Sequence, residues 1–188
     1  MTDTVAHCVT ALWHFREVSM KSTKKIVVSA LFAALGLVAT MFFAFPLPTG
    51  YANLGDCFAF LAGFCLGGVW GPVAAGLGIA LADLLGGYGV YAVATFIIKA
   101  FIALCGAVAA KAAKEGRFLI VLTAALSALG EAVMVLGYFF FESVFLGVGS
   151  AAIASVPGNL TQAAVGVVTS TVLAIVFAKN KRLRELIK

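Results

Sequence analysis

Charge is what this sequence has least of. Only 11% of its 188 residues are charged and 63% are hydrophobic, with a mean hydropathy of +1.10. A soluble domain carries roughly 25% charged residues, so the composition excludes an ordinary soluble protein and indicates an integral membrane one. Between Ile26 and Ala110 the only charged residues are Asp56, Asp83 and Lys99. Histidine is confined to His7 and His14, so the apolar segments contain none for a metal site or a proton relay. The four cysteines (Cys8, Cys57, Cys65, Cys105) form no CxxC, and three lie in apolar segments, where they read as small polarizable packing residues. A GxxxxGK[ST] phosphate loop is missing too, so this chain is not expected to hydrolyse ATP.

The net charge of +5 does not indicate a nucleic-acid partner, because the basic residues stand in short clusters beside apolar segments. That is the arrangement of membrane topology determinants. Residues 1–19 differ from the rest: mixed, weakly apolar, and without a signal-peptide pattern. Met20, followed by a lysine-rich stretch, reads as the natural start of a single membrane domain over 20–188, with 1–19 a poorly structured extension. A metal site from His7, Cys8 and His14 is weakly indicated beside a solvated arm, and no metal or cofactor is expected.

Six apolar spans are predicted. The first runs from about Ile26 to Phe45, stopped by Pro46, Pro48 and Gly50. The second begins at Asn53-Leu54-Gly55-Asp56 and reaches Val69; a turn at Trp70-Gly71-Pro72 leads to a third, Val73 to Leu85. Both are short and glycine-rich, at roughly 20–25 Å against a hydrocarbon thickness of ~30 Å. Tyr91 to Ala110, Phe118 to Phe141, and Pro157 to Ala178 complete the set. Under this topology twelve of the thirteen lysines and arginines fall on one side, and the other is Lys99. The positive-inside rule makes that side cytoplasmic. The predicted fold is thus an all-α integral membrane bundle of six transmembrane helices, both termini inside.

Polar residues form stripes near the outer side. Tyr91, Thr95 and Lys99 recur at four-residue spacing, as do Ser127 and Glu131, with Tyr138 and Glu142 further along the same face. Asn159 and Gln162 share the first turns of the last span. Asn53 and Asp56 resemble a capping box, whereas Asp83 opposes the helix dipole at the end of its span and needs a partner or a water-filled cavity. A Lys99–Glu131 ion pair is geometrically possible. Intramembrane charges commonly mark a ligand site or a pathway, and a buried pair that only fixes helix packing is the bland alternative. The stripes favour an outward-facing pocket for a small polar, aromatic ligand. Ala30 and Ala34 form an AxxxA on the first span, suited either to internal packing or to a partner protein.

The chain from Met20 onward resembles the substrate-binding S components of energy-coupling factor (ECF) vitamin transporters. Ala30 and Ala34 within SALFAALGLVAT, NLGD at 53–56, GxWGP at 68–72, ADLLGGY at 82–88, TFIIK at 95–99 and PGNLTQAAVGVV at 157–168 carry the likeness. It is nearest to the riboflavin-type group, which includes proteins assigned to pyridoxine or hydroxymethylpyrimidine. The resemblance implies a bacterial cell membrane and capture of a vitamin at its outer face, under a lid at 46–53. It also implies docking through Ala30 and Ala34 onto a membrane T component driven by two ATPase subunits, then reorientation to release the vitamin inside. The implied pocket residues are Asn53, Asp56, Asp83, Tyr88, Tyr91, Thr95, Lys99, Glu131, Tyr138, Asn159 and Gln162. Competing classes are a stand-alone secondary transporter, opposed by the almost uniformly apolar cytoplasmic halves of the helices, and an intramembrane enzyme, which lacks a nucleophile–activator pair.

Overall fold

A backbone surrounded by hydrocarbon must satisfy its own hydrogen bonds, and nearly every segment of this chain does so as helix. The computed structural model describes residues 22–47, 50–112 and 117–180. Expectations for residues 1–19, for His7, Cys8 and His14, and for the basic residues beyond Lys179 lie outside them.

The described residues form six α-helices: α1 (Ser22–Phe42), α2 (Gly55–Leu66), α3 (Trp70–Leu85), α4 (Ala92–Ala112), α5 (Arg117–Phe140) and α6 (Val156–Lys179). The segments containing α1, α4, α5 and α6 are long and apolar enough to cross a membrane, whereas α2 and α3, at 12 and 16 residues, are shorter. Between α1 and α2 the chain makes a two-stranded antiparallel hairpin, β1 (Ala44–Leu47) with β2 (Gly50–Asn53), in which Ala44 faces Asn53 and Leu47 faces Gly50.

Two predicted boundaries need correction. The first helix ends at Phe42, not Phe45, because Ala44–Leu47 is drawn into the hairpin. The turn expected at Trp70–Pro72 lies earlier, at Gly67 and Gly68, whose φ values of +61° and +46° are left-handed. Trp70, Gly71 and Pro72 instead open α3. Pro72 is tolerated there because the first-turn N–H groups have no partner within the helix.

Helices α2 and α4 occupy the middle. α2 touches α1, α3, α4 and α6, and α4 touches α2, α3 and α5. Their contact is backbone to backbone: a Cβ added at Gly63 would fall on the Ala103 carbonyl, and one at Gly106 on the Phe60 carbonyl. Phe60, Ile102 and Ala103 are fully buried around this crossing. Cys57, Cys65 and Cys105 are buried free thiols, in line with a packing role. At the periphery, α1 buries Phe32, Gly36, Ala39 and Thr40 on one side and leaves Ala30, Leu31, Ala34 and Leu35 exposed on the other.

Charge sorts by end. Among the described residues, Lys24, Lys25, Lys111, Arg117 and Lys179 lie at one end of the bundle. Asp56, Asp83, Lys99, Glu131 and Glu142 lie towards the end that carries the hairpin.

Candidate functional site

The hairpin end contains a cavity of about 370 Å³. α1 contributes Thr40 and β2 contributes Asn53; α3 adds Ile79 and Asp83, and Tyr88 follows in the turn. α4 and the turn before it supply Tyr91, Thr95 and Lys99; α5 and its extension supply Tyr138 and Glu142. Ser155, Gly158, Asn159 and Gln162 come from the entry to α6. Nine of the eleven pocket residues expected from the sequence therefore meet around one space. Asp56 and Glu131 do not line it; both are buried in the floor beneath.

The floor is built on one ion pair. Lys99 Nζ is 2.5 Å from Asp56 Oδ1, with the two side chains at 1% and 0% exposure. The Lys99–Glu131 pair that helical spacing allowed is not formed; Lys99 takes Asp56. Asp56 sits in the first turn of α2, directly against α4, where it takes the lysine and also favours the helix dipole. Its second oxygen accepts a hydrogen bond from Gln162 Nε2 at 2.6 Å, and Asn53 Nδ2 donates to Gln162 Oε1 at 3.3 Å. Asn53 Oδ1 in turn accepts from the Gly55 N–H at 2.8 Å. Asn53 thus holds the start of α2, as a cap would, but Asp56 does not complete a capping box. A continuous chain of contacts joins the hairpin, α6, α2 and α4.

Aromatic rings make one wall. Lys99 Nζ stands 5.5 Å from the centre of the Tyr138 ring, and the Tyr138 and Thr95 hydroxyls are 2.9 Å apart. Tyr91 meets Tyr138 edge to face, with centroids 6.3 Å apart, and Phe141 at 5.6 Å. After Phe140 the helix widens into one π turn, Phe141–Phe145, a feature that recurs at functional sites because it re-aims side chains. Here it carries Glu142, which accepts from the Ser155 hydroxyl at 2.5 Å and from the Tyr91 hydroxyl at 3.4 Å. Thr40, Ile79, Glu142, Ser155 and Gly158 were not among the expected pocket residues. Glu142 had a signal, since it lies on the same stripe as Tyr138; Ile79 and Gly158 had none.

With Lys99 paired to Asp56, the remaining acidic side chains on the cavity wall are Asp83 and Glu142. Asp83 Oδ2 and Asn159 Nδ2 are buried and lack a hydrogen-bond partner among the described residues. One is an acceptor and the other a donor. Such groups are costly to leave unmatched, and a bound molecule with a donor and an acceptor on its edge would satisfy both.

The family model described as "ECF-type riboflavin transporter, S component" matches residues 20–179. A Pyrococcus woesei protein described as "Uncharacterized protein in gap 3'region" is 33% identical over 146 residues, covering 76% of this chain and 94% of that protein.

Proposed function

Because the chain belongs to the ECF-type riboflavin transporter S-component family, we propose that it captures a small water-soluble vitamin or vitamin precursor in the hairpin-end cavity. Flavin, pyridoxine and hydroxymethylpyrimidine types are the ligand classes in view. The observation that carries this reading is the pair of unmatched buried groups, Asp83 Oδ2 and Asn159 Nδ2, on the wall of a cavity of about 370 Å³. Pockets for small molecules start at roughly 300 Å³ and combine apolar walls with a few placed polar groups. A planar heterocycle with adjacent N–H and C=O groups fits that chemistry, with Tyr91 and Tyr138 beside its faces.

In this reading the hairpin end faces outward, the basic end faces the cytoplasm and all six helices lie within the membrane. Ala30 and Ala34 on the exposed face of α1 meet a T component, and two ATPase subunits supply the energy. The chain binds and delivers its ligand; it is not an enzyme and carries no cofactor.

Small molecules extracted from the detergent-purified protein, identified by mass spectrometry, test the proposal. A vitamin at near-equimolar occupancy is expected, with riboflavin binding measured by titration of the emptied protein. Failure to bind any of the three ligand classes, or cellular uptake independent of the T component, would overturn it.

A further inference from the structure

Three ionisable side chains meet at the base of the cavity with almost no exposure: Asp56 at 0%, Lys99, which also lines the cavity, at 1%, and Glu131 at 1%. Two acids and one base cannot balance. Lys99 is committed to Asp56, whose other oxygen is held by Gln162. Glu131 has no share in that arrangement: neither of its oxygens has a hydrogen-bond partner among the described residues. The backbone of α6 closes on it from the other side, and a Cβ at Gly166 would overlap the carboxylate.

The surroundings offer no second cation. α4 presents Lys99 and the Cys105 thiol towards Glu131, and α2 presents Asp56. α6 has no ionisable residue before Lys179, and Tyr138 is the next ionisable residue along α5. Ser127 and Thr123 lie one and two turns from Glu131 on the same face of α5, and Ser170 lies one turn beyond Gly166 on α6. All three hydroxyls are buried to 1% or less and lack partners among the described residues. An ionised carboxylate in this seam would cost several kcal/mol, and the one cation facing it, Lys99, is already paired with Asp56, whose own charge opposes a second carboxylate. A bound metal ion would need converging ligands, and the described residues contain no group of three acidic, histidine or cysteine side chains that could hold one.

We propose that Glu131 is an intramembrane proton-binding site: it carries one exchangeable proton at neutral pH, which makes the Asp56–Lys99–Glu131 cluster electrically neutral. The protonated carboxyl gains a donor, and the hydroxyls of Ser127, Thr123 and Ser170 extend a polar seam from it towards the basic end. The expectation of almost uniformly apolar far halves is modified accordingly between α5 and α6. Glu131 itself does not line the cavity, and the assignment does not depend on which ligand the cavity takes.

Infrared spectroscopy of the purified protein at neutral pH, in H₂O and D₂O, tests the assignment. A protonated-carboxyl C=O band that moves down in D₂O is expected, retained in Glu142→Gln and lost in Glu131→Gln. Wild-type protein made with ¹³C-carboxyl glutamate should shift the same band, which keeps the test decisive if Glu131→Gln does not fold. Absence of the band, or its persistence unshifted in the labelled protein, would overturn the proposal. So would a sodium- or potassium-dependent melting temperature that Glu131→Gln abolishes, since that result would assign the site to a metal ion.

Discussion

Lys99 and Asp56, 43 positions apart in the chain, meet at 2.5 Å between α4 and α2 with almost no solvent contact. Breaking such a pair by removing one partner strands a buried charge, at a cost of about 3–5 kcal/mol, whereas removing both is often near neutral. Lys99→Met should therefore lower the unfolding temperature in detergent sharply, and Lys99→Met with Asp56→Asn should recover most of the loss. Equal damage in the single and double variants would show that the pair is not the source of the effect.

Gln162 bridges the hairpin to the floor through Asn53 and Asp56. Gln162→Leu leaves Asp56 Oδ2 and Asn53 Nδ2 unmatched, each costing about 1–3 kcal/mol when buried. Ligand dissociation, followed by stopped-flow fluorescence, should accelerate because the hairpin loses its hold on α6. An unchanged off-rate would mean that the hairpin is held by its backbone alone.

Asp83 and Asn159 are predicted to touch the ligand. A hydrogen bond to a charged group contributes about 1.5–3 kcal/mol, so Asp83→Ala should weaken binding roughly 10- to 100-fold at 1.4 kcal/mol per decade. Asn159→Leu should weaken binding as well. Calorimetric titration reads both, and full affinity in both variants would remove these residues from the site.

Ala30→Trp or Ala34→Trp enlarges the exposed face of α1 without touching the core. Cellular uptake should be lost while ligand binding by the purified protein is retained. Loss of binding as well would place this face inside the working protein.

Gly106→Val tests the central crossing. Its side chain would meet the Phe60 carbonyl, forcing α2 and α4 apart and disturbing Asp56 against Lys99. Loss of folded, monodisperse protein on size-exclusion chromatography is expected, and normal recovery would contradict the packing described here.

The helices, the polar end and nine of the fourteen cavity residues were readable from the sequence, because in a chain this apolar each polar side chain needs a reason to be there. Tyr91, Thr95 and Lys99 fall on one stripe by helical spacing alone. What spacing could not supply was the choice of partner across helices. Lys99 takes Asp56 in place of Glu131 because the glycine crossing brings the first turn of α2 against α4, a tertiary fact invisible to a one-dimensional pattern. The hairpin was hidden for a similar reason: two prolines and a glycine announce a turn, but strand pairing depends on the chain returning alongside itself. Ile79 and Gly158 reach the cavity with no chemical marker at all.

The shortness of α3 has a consequence for the lipid around it. Its outward face (Val73, Leu77, Leu81, Leu84) runs between Trp70 at one end and Tyr88 just past the other, all substantially exposed. Tryptophan and tyrosine settle at the membrane–water boundary, yet a 16-residue helix is about 24 Å long, short of the ~30 Å of a typical hydrocarbon layer. With all six helices within the membrane, as proposed above, the bilayer beside α3 would thin, or the helix ends would be drawn inward. Tyr88 is also part of the cavity rim. In that arrangement acyl-chain length would bear mechanically on the mouth of the site, and ligand affinity would become a gauge of the thickness of the membrane that holds the protein.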